Sequence, residues 1–177
     1  MSRGAHELPE FEDFVAGAAG RLSHTATLLT AEPPADNPRA RRLLARSLAE
    51  TYARWDRLRG DDPYVHARSR LAGRFARESA WRRRGSLRPG GAASPASSGP
   101  LARLTGTQRL IVVFLLVEGV AEEQTAALLA MPVDRVRAIR DRSVALLLHP
   151  PRPRESPRPA PEGTRRATPG SAHRGRR

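Results

Sequence analysis

The chain has 177 residues, of which 31 are basic and 18 acidic, giving a formal net charge of +13; every basic residue is arginine. Without a single cysteine it can hold no disulfide framework, thiolate nucleophile or zinc finger. Such an excess of positive charge suits a polyanionic partner, nucleic acid or an anionic membrane. The choice of Arg over Lys accords with GC-rich coding, so the charge is informative and the residue type is not.

His6, His24, His66, His149 and His173 are scattered, with no partner at metal-ligand spacing. The longest apolar run, Leu110 to Val117, is eight residues long, against the roughly 20 needed to span a bilayer. The opening MSRGAHELPEFEDF lacks the apolar core of a signal peptide. A cytoplasmic location is expected, with no membrane partner. Glu122-Glu123 and Asp61-Asp62 are neighbouring acids, but nothing pairs them with a base, a metal or a pocket. The chain is expected to be no enzyme and to need no cofactor.

Charge divides the chain. Residues 1–40 carry −3, residues 41–84 carry +8, residues 101–149 carry +1 and residues 150–177 carry +6. Between the middle blocks, GSLRPGGAASPASSGP (85–100) is nearly all Gly, Ser, Ala and Pro, and reads as a flexible linker. Residues 150–177 start PPRPRESPRPAPEG and end RGRR, too rich in proline and too poor in apolar side chains to fold, so a disordered basic tail is expected. Two structured domains remain, 8–84 and 101–149.

Both read as helical, and the fold class is all-α. Phe11, Phe14, Val15, Ala18, Leu22 and Leu29 follow the three-four spacing of one helix face. Leu44, Leu48, Thr51, Tyr52, Trp55 and Leu58 do the same, between a start at Asn37-Pro38 and a stop at Gly60. Asp61-Asp62-Pro63 opens a third helix, with proline at its first position and two acids favoured by its dipole. That helix closes on Arg70, Arg74, Arg77, Trp81 and Arg84, spaced to share a face. A cationic face with an aromatic suits a nucleic-acid backbone and an unstacked base. The alternative is a solvated arginine face with Trp81 folded into the core.

The second domain begins with Thr105-Gly106-Thr107-Gln108, which fits a capping box, and runs into an apolar helix from Arg109 to Val117. Gly119 breaks it, and Glu122-Glu123 start a short helix that ends at Ala126, Leu128 and Leu129. Ala130-Met131 make a tight turn. Pro132 then opens a last helix, with Val133, Val136 and Ile139 inward and Val144 and Leu147 continuing that face. This is a helix-turn-helix layout: small Ala126 where the helices cross, Ala130 four residues later at the turn, Val136 buried six beyond. At Ala130 a positive φ costs about 1 kcal/mol relative to glycine. Asp134, Arg135, Arg137, Arg140 and Arg142 point outward, where arginine reaches phosphates or guanine. A plain three-helix bundle is the competing reading.

The four segments together resemble a bacterial RNA polymerase sigma factor of the extracytoplasmic-function group, over about 7–147. FEDFVAGAAGRLSHTATLLT is similar to that group's first helix, ARRLLARSLAETYARWDRL to its core-binding helix, and DDPYVHARSRLAGRFARESAWRRR to its promoter −10 helix. LTGTQRLIVVFLLVEGVAEEQTAALLAMPVDRVRAIRDRSVALL is similar to the −35 reader. The resemblance implies a region-2-like and a region-4-like domain, core RNA polymerase and double-stranded promoter DNA as partners, and an anti-sigma factor as a further one. It places Arg42, Ala45 and Arg46 at the polymerase contact. It places Arg70, Gly73, Arg74, Arg77 and Trp81 at the −10 element, and Arg135, Arg137, Arg140 and Arg142 at the −35 element.

The sequence departs from the group in three places. Arg42 and Arg46 put positive charge where acidic and amide groups usually face the polymerase. Gly73 stands where asparagine commonly meets a −10 base, and Ala121 replaces the usual serine cap, a change of about 1 kcal/mol. Two other readings therefore stand beside the sigma factor: a degenerate sigma-derived DNA-binding regulator without polymerase activity, and a helical protein-interaction module.

Overall fold

The computed structural model describes residues 3–58, 60–85 and 97–150, with the backbone alone at 3–7 and 83–85. These residues are helical, with no strand among them. Six helices follow in order: α1 (Arg3–Thr30), α2 (Pro38–Tyr52), α3 (Pro63–Gly85), α4 (Gly106–Val112), α5 (Glu122–Leu129) and α6 (Val133–Leu148). The tail at 151–177 lies outside the described residues, as do residues 86–96 of the linker.

Helix α1 buries Ala18, Leu22, Ala26 and Leu29, as the three-four spacing predicts, with Phe11 and Phe14 half-buried toward its start. Thr25 is buried among them, its hydroxyl bonded to Glu118 from the second half of the chain. Helix α2 stops at Tyr52, whereas the apolar spacing predicts one helix to Leu58. A 3-10 turn, Trp55–Leu58, carries the rest. Within α2, Ser47 Oγ donates to the Leu43 carbonyl (2.8 Å) and Thr51 Oγ1 to the Ser47 carbonyl (2.9 Å). The face turned inward is shifted from the predicted one: Ala40, Leu43, Ser47 and Thr51 are buried, Leu44 and Leu48 are half-buried, and Tyr52, expected on this face, is exposed. Phe11, Phe14, Tyr52 and Trp55 meet as an aromatic group, ring centroids 4.8–5.9 Å apart.

Pro63 starts α3, and Asp62 accepts a hydrogen bond from the Tyr64 backbone N–H at 2.8 Å. Thr105 and Gln108 form the capping box expected at the start of α4. The apolar run does not continue as a regular helix. Val113–Val117 is a π-turn, with the Glu118 N–H bonded to the Val113 carbonyl at 3.0 Å. One extra residue in the turn rotates the chain about the helix axis: Leu116 and Val117 emerge at the surface, and Glu118 goes inside. Such wide turns recur at functional positions.

The two blocks do not stand apart across a tether. Each has a small cluster of its own, Ala18, Leu22 and Ala67 in the first and Ile111, Ala126 and Val136 in the second. The largest cluster is shared: Leu29, Leu43, Leu71 and Phe75 pack with Leu110, Val113 and Phe114. The segment expected as linker is ordered at both ends. Gly85 closes α3, while the Ser98 N–H donates to the Ala31 carbonyl at 2.8 Å and Ser97 Oγ to the Thr30 carbonyl at 3.2 Å.

Three polar or steric features fasten this junction. Arg109, 6% exposed, donates to the carbonyls of Leu29 (2.9 Å), Leu101 (3.0 Å) and Leu104 (3.0 Å). Its charge thus sits at the C-terminal, negative end of α1. Burial, with Arg39 nearby, lowers its pKa to about 10. Glu118, 6% exposed, accepts from Arg21 (3.1 Å), from Tyr64 OH (2.9 Å) and from Thr25 Oγ1, with Arg68 at 3.5 Å. Burial and the bond to Glu118 push the Tyr64 phenol above its ordinary pKa. Gly106 lies so close to α3 that a Cβ there would come 2.6 Å from the Ser79 Cβ.

Candidate nucleic-acid interface

The segment expected to form a helix-turn-helix begins at α5. Its N-cap, Ala121, is extended and makes no side-chain cap bond, as expected of an alanine in that place. The helix ends in a left-handed residue, Ala130, with φ 50° and ψ 48°. The Met131 N–H bonds the Ala126 carbonyl at 3.1 Å and the Ala130 N–H the Ala127 carbonyl at 3.2 Å. Those two bonds define the Schellman turn, which usually employs glycine at this place. Pro132 is the N-cap of α6 rather than its first residue. Val136 is fully buried against Ala126 and Ile111, with Leu129, Met131, Val133 and Ile139 packed around them. Ser143, a polar residue that the apolar spacing does not single out, is buried further along α6.

On the outer side of α6, Arg135, Arg137 and Arg142 are exposed and Arg140 is half-buried. These four are not equivalent. Arg137 Nε lies 2.5 Å from Glu122 Oε2 and its Nη1 3.2 Å from Asp134. Arg140 is paired with Glu122 through Nη1 and with Asp141 at 2.9 Å. Glu122 is held below its usual pKa chiefly by the hydrogen bond from Arg137. Among the described residues, Arg135 and Arg142 have no carboxylate within ion-pairing distance. The outward arginines thus sort into a paired couple and a free couple.

Helix α3 repeats the arrangement. Arg70 Nε lies 3.7 Å from Glu50, and Arg74 is paired with the same carboxylate. Arg77 is exposed, and Trp81, 76% exposed, stands out in solvent instead of folding into the core. The side chain of Arg84 lies outside the described residues. Gly73 is half-buried, and a Cβ built there would come 3.3 Å from Arg77 Nη1. A side chain at 73 would therefore displace the flexible end of Arg77. His66, one turn before Arg70, is kept below its ordinary pKa by burial, then by Arg70 and Arg54.

Arg42, Ala45 and Arg46 lie together on the exposed side of α2, as the helical spacing predicts. No carboxylate answers either arginine within ion-pairing distance among the described residues. Sequence reasoning missed Glu50, Glu118 and Glu122 as partners, because their arginines are 15 to 97 residues away. No local spacing signals such pairs. No group of His, Cys, Asp and Glu able to hold a metal ion occurs among the described residues, and none of their helices is long and apolar enough to cross a membrane. Comparison with protein-family models, with curated proteins and with solved structures finds no match for the chain.

Proposed function

We propose that the chain is a sigma-like transcription initiation factor, whose α6 reads the major groove of promoter DNA and whose α3 takes the −10 element. One observation carries this reading. The turn between α5 and α6 has the left-handed residue, the small crossing residue and the buried Val136 at helix-turn-helix spacing, beneath a row of outward arginines. The exposed Trp81 beside Arg77 supports the second half of the reading, since a base can stack on a bare indole. In this reading 8–84 is the region-2-like domain, 101–149 the region-4-like domain, and core RNA polymerase the protein partner. The compartment is the cytoplasm.

A second reading has its own support. Arg42 and Arg46 place two unanswered positive charges on the face that the resemblance assigns to polymerase. Like charges opposed across an interface cost several kcal/mol. A DNA-binding regulator of sigma descent, without polymerase activity, fits that face better.

Two measurements test the pair. Replacing Arg135 or Arg142 by Ala is expected to cost roughly 1–3 kcal/mol in duplex binding if the residue meets a base, with relaxed sequence preference. Unchanged affinity in both variants refutes the helix-turn-helix interface. Pull-down of core polymerase and run-off transcription then separate the readings. Weak pull-down that Arg42→Asp with Arg46→Glu strengthens supports a sigma factor with a weakened docking face. No pull-down by either form leaves the regulator.

A further inference from the structure

Each basic helix has a carboxylate, supplied by the helix before it, lodged between two of its arginines. Glu50 of α2 stands between Arg70 and Arg74 of α3, and Glu122 of α5 between Arg137 and Arg140 of α6. Residues three or four apart on a helix stand one above the other on a single face. Each carboxylate therefore closes a fork made by two guanidinium groups and takes one unit from the +2 they would carry; on α6, Asp134 and Asp141 also pair with Arg137 and Arg140 from the flanks, while Glu122 alone bridges the two. A fork of this kind holds a phosphate oxygen as readily as a carboxylate. By contrast Arg77, Arg135 and Arg142 are exposed, with no ion-pair partner among the described residues.

The geometry points to Glu50 and Glu122 as specificity-setting residues that withhold four arginines from the phosphate backbone of duplex DNA. This rests on the DNA-binding reading above. Phosphate contacts raise affinity for every sequence alike, whereas base contacts discriminate. A chain of net charge +13 is prone to bind any duplex. Internal carboxylates on the two reading helices lower that general affinity and leave sequence preference to Arg135, Arg142, Arg77 and Trp81.

The test uses the full chain, a random-sequence duplex of about 30 base pairs and a series of salt concentrations, reading affinity by fluorescence anisotropy. Wild type is compared with Glu50→Gln, Glu122→Gln and the double variant. Each single change is expected to steepen the slope of log K against log salt by about 0.9 per phosphate gained, which is roughly tenfold tighter binding at 0.1 M salt. The two effects add in the double variant, since the trios lie on separate helices and share no partner. Glu122 also opens α5, where its charge favours the helix dipole. Glu122→Asp keeps that charge while shortening its reach, and is expected to steepen the slope by less. Slopes equal to wild type, or weaker binding of the random duplex by the variants, overturn the inference; weaker binding means that the carboxylates present the arginines to DNA. A wild-type chain that binds no duplex at any salt overturns the DNA-binding reading itself, and this inference with it.

Discussion

Alanine occupies two places where the backbone turns left-handed, Ala31 with φ 55° and Ala130 with φ 50°. An L-residue there costs roughly 1–2 kcal/mol, partly offset in glycine by the larger entropy of its unfolded chain. Ala130→Gly is therefore expected to stabilise the protein by about 0.5–1 kcal/mol, and Ala121→Ser, which supplies the missing cap of α5, by about 1 kcal/mol. Both positions are exposed, so thermal unfolding should report the turn and the cap without a change in core packing; a loss of stability in either variant contradicts the turn or cap geometry. His66 gives a prediction in pH. Burial and the nearby arginines hold its pKa below the ordinary 6.5, so the folded protein prefers it neutral. The unfolded chain takes up the proton first, and stability present above pH 6.5 is lost as pH falls toward the lower folded value. His66→Gln should lose less stability than wild type between about pH 7 and pH 5. Parallel profiles for the two proteins show that His66 does not titrate differently on folding.

At the level of elements, the sequence was most legible where one residue decides a boundary. Pro63, the Thr105–Gln108 capping box and the Ala130 turn all stand where local rules place them. Legibility failed where a distant partner decides. The π-turn at Val113–Val117 has no signature in its apolar residues; its effect is to deliver Glu118 to four side chains of α1 and α3. The arginine stripe of α3 was legible as a stripe, but its division into Glu50-bound and free members depends on α2. The close seat of α4 on α3 was equally hidden, and it can be tested by complementary substitutions. A methyl group at position 106 would come 2.5 Å from Ser79 Oγ and 2.6 Å from its Cβ, so Gly106→Ala forces the helices apart. Overpacking of this kind costs typically about 1–3 kcal/mol. Ser79→Gly removes both clashing atoms, and added to Gly106→Ala it should recover much of the loss after its own helix penalty of up to about 1 kcal/mol. Without recovery in the double variant, the helices do not meet at these residues.

Over the whole molecule, the shared core and Glu118 decide how the chain unfolds. Phe75, Leu110, Val113 and Phe114 belong to a single cluster, so neither block can open without exposing apolar surface on the other. Glu118 adds a charged tie across the same junction. Its carboxylate sits between Arg21 and Arg68 and receives the hydroxyls of Tyr64 and Thr25. Removing one partner from a buried ionic group costs about 3–5 kcal/mol, because the charges left behind have lost both water and counter-charge. Arg21 is more than half exposed and regains water when the tie is cut, so the lower end of that range applies to Glu118→Ala. Glu118→Gln keeps an acceptor for the hydroxyls and should cost less. The form of the transition is more telling than its size. A core common to both blocks requires that Glu118→Ala lower the unfolding temperature of the entire helix signal in one step, and that the tryptophans Trp55 and Trp81 report the same midpoint. If only part of the helix signal moves and the remainder melts at the wild-type temperature, the blocks fold independently and the junction adds little to either. Under the proposed DNA-binding reading, that outcome would also free 8–84 and 101–149 to take separate positions on DNA, whereas a single transition means that a DNA complex must first break the Glu118 tie or bind the closed form as it stands.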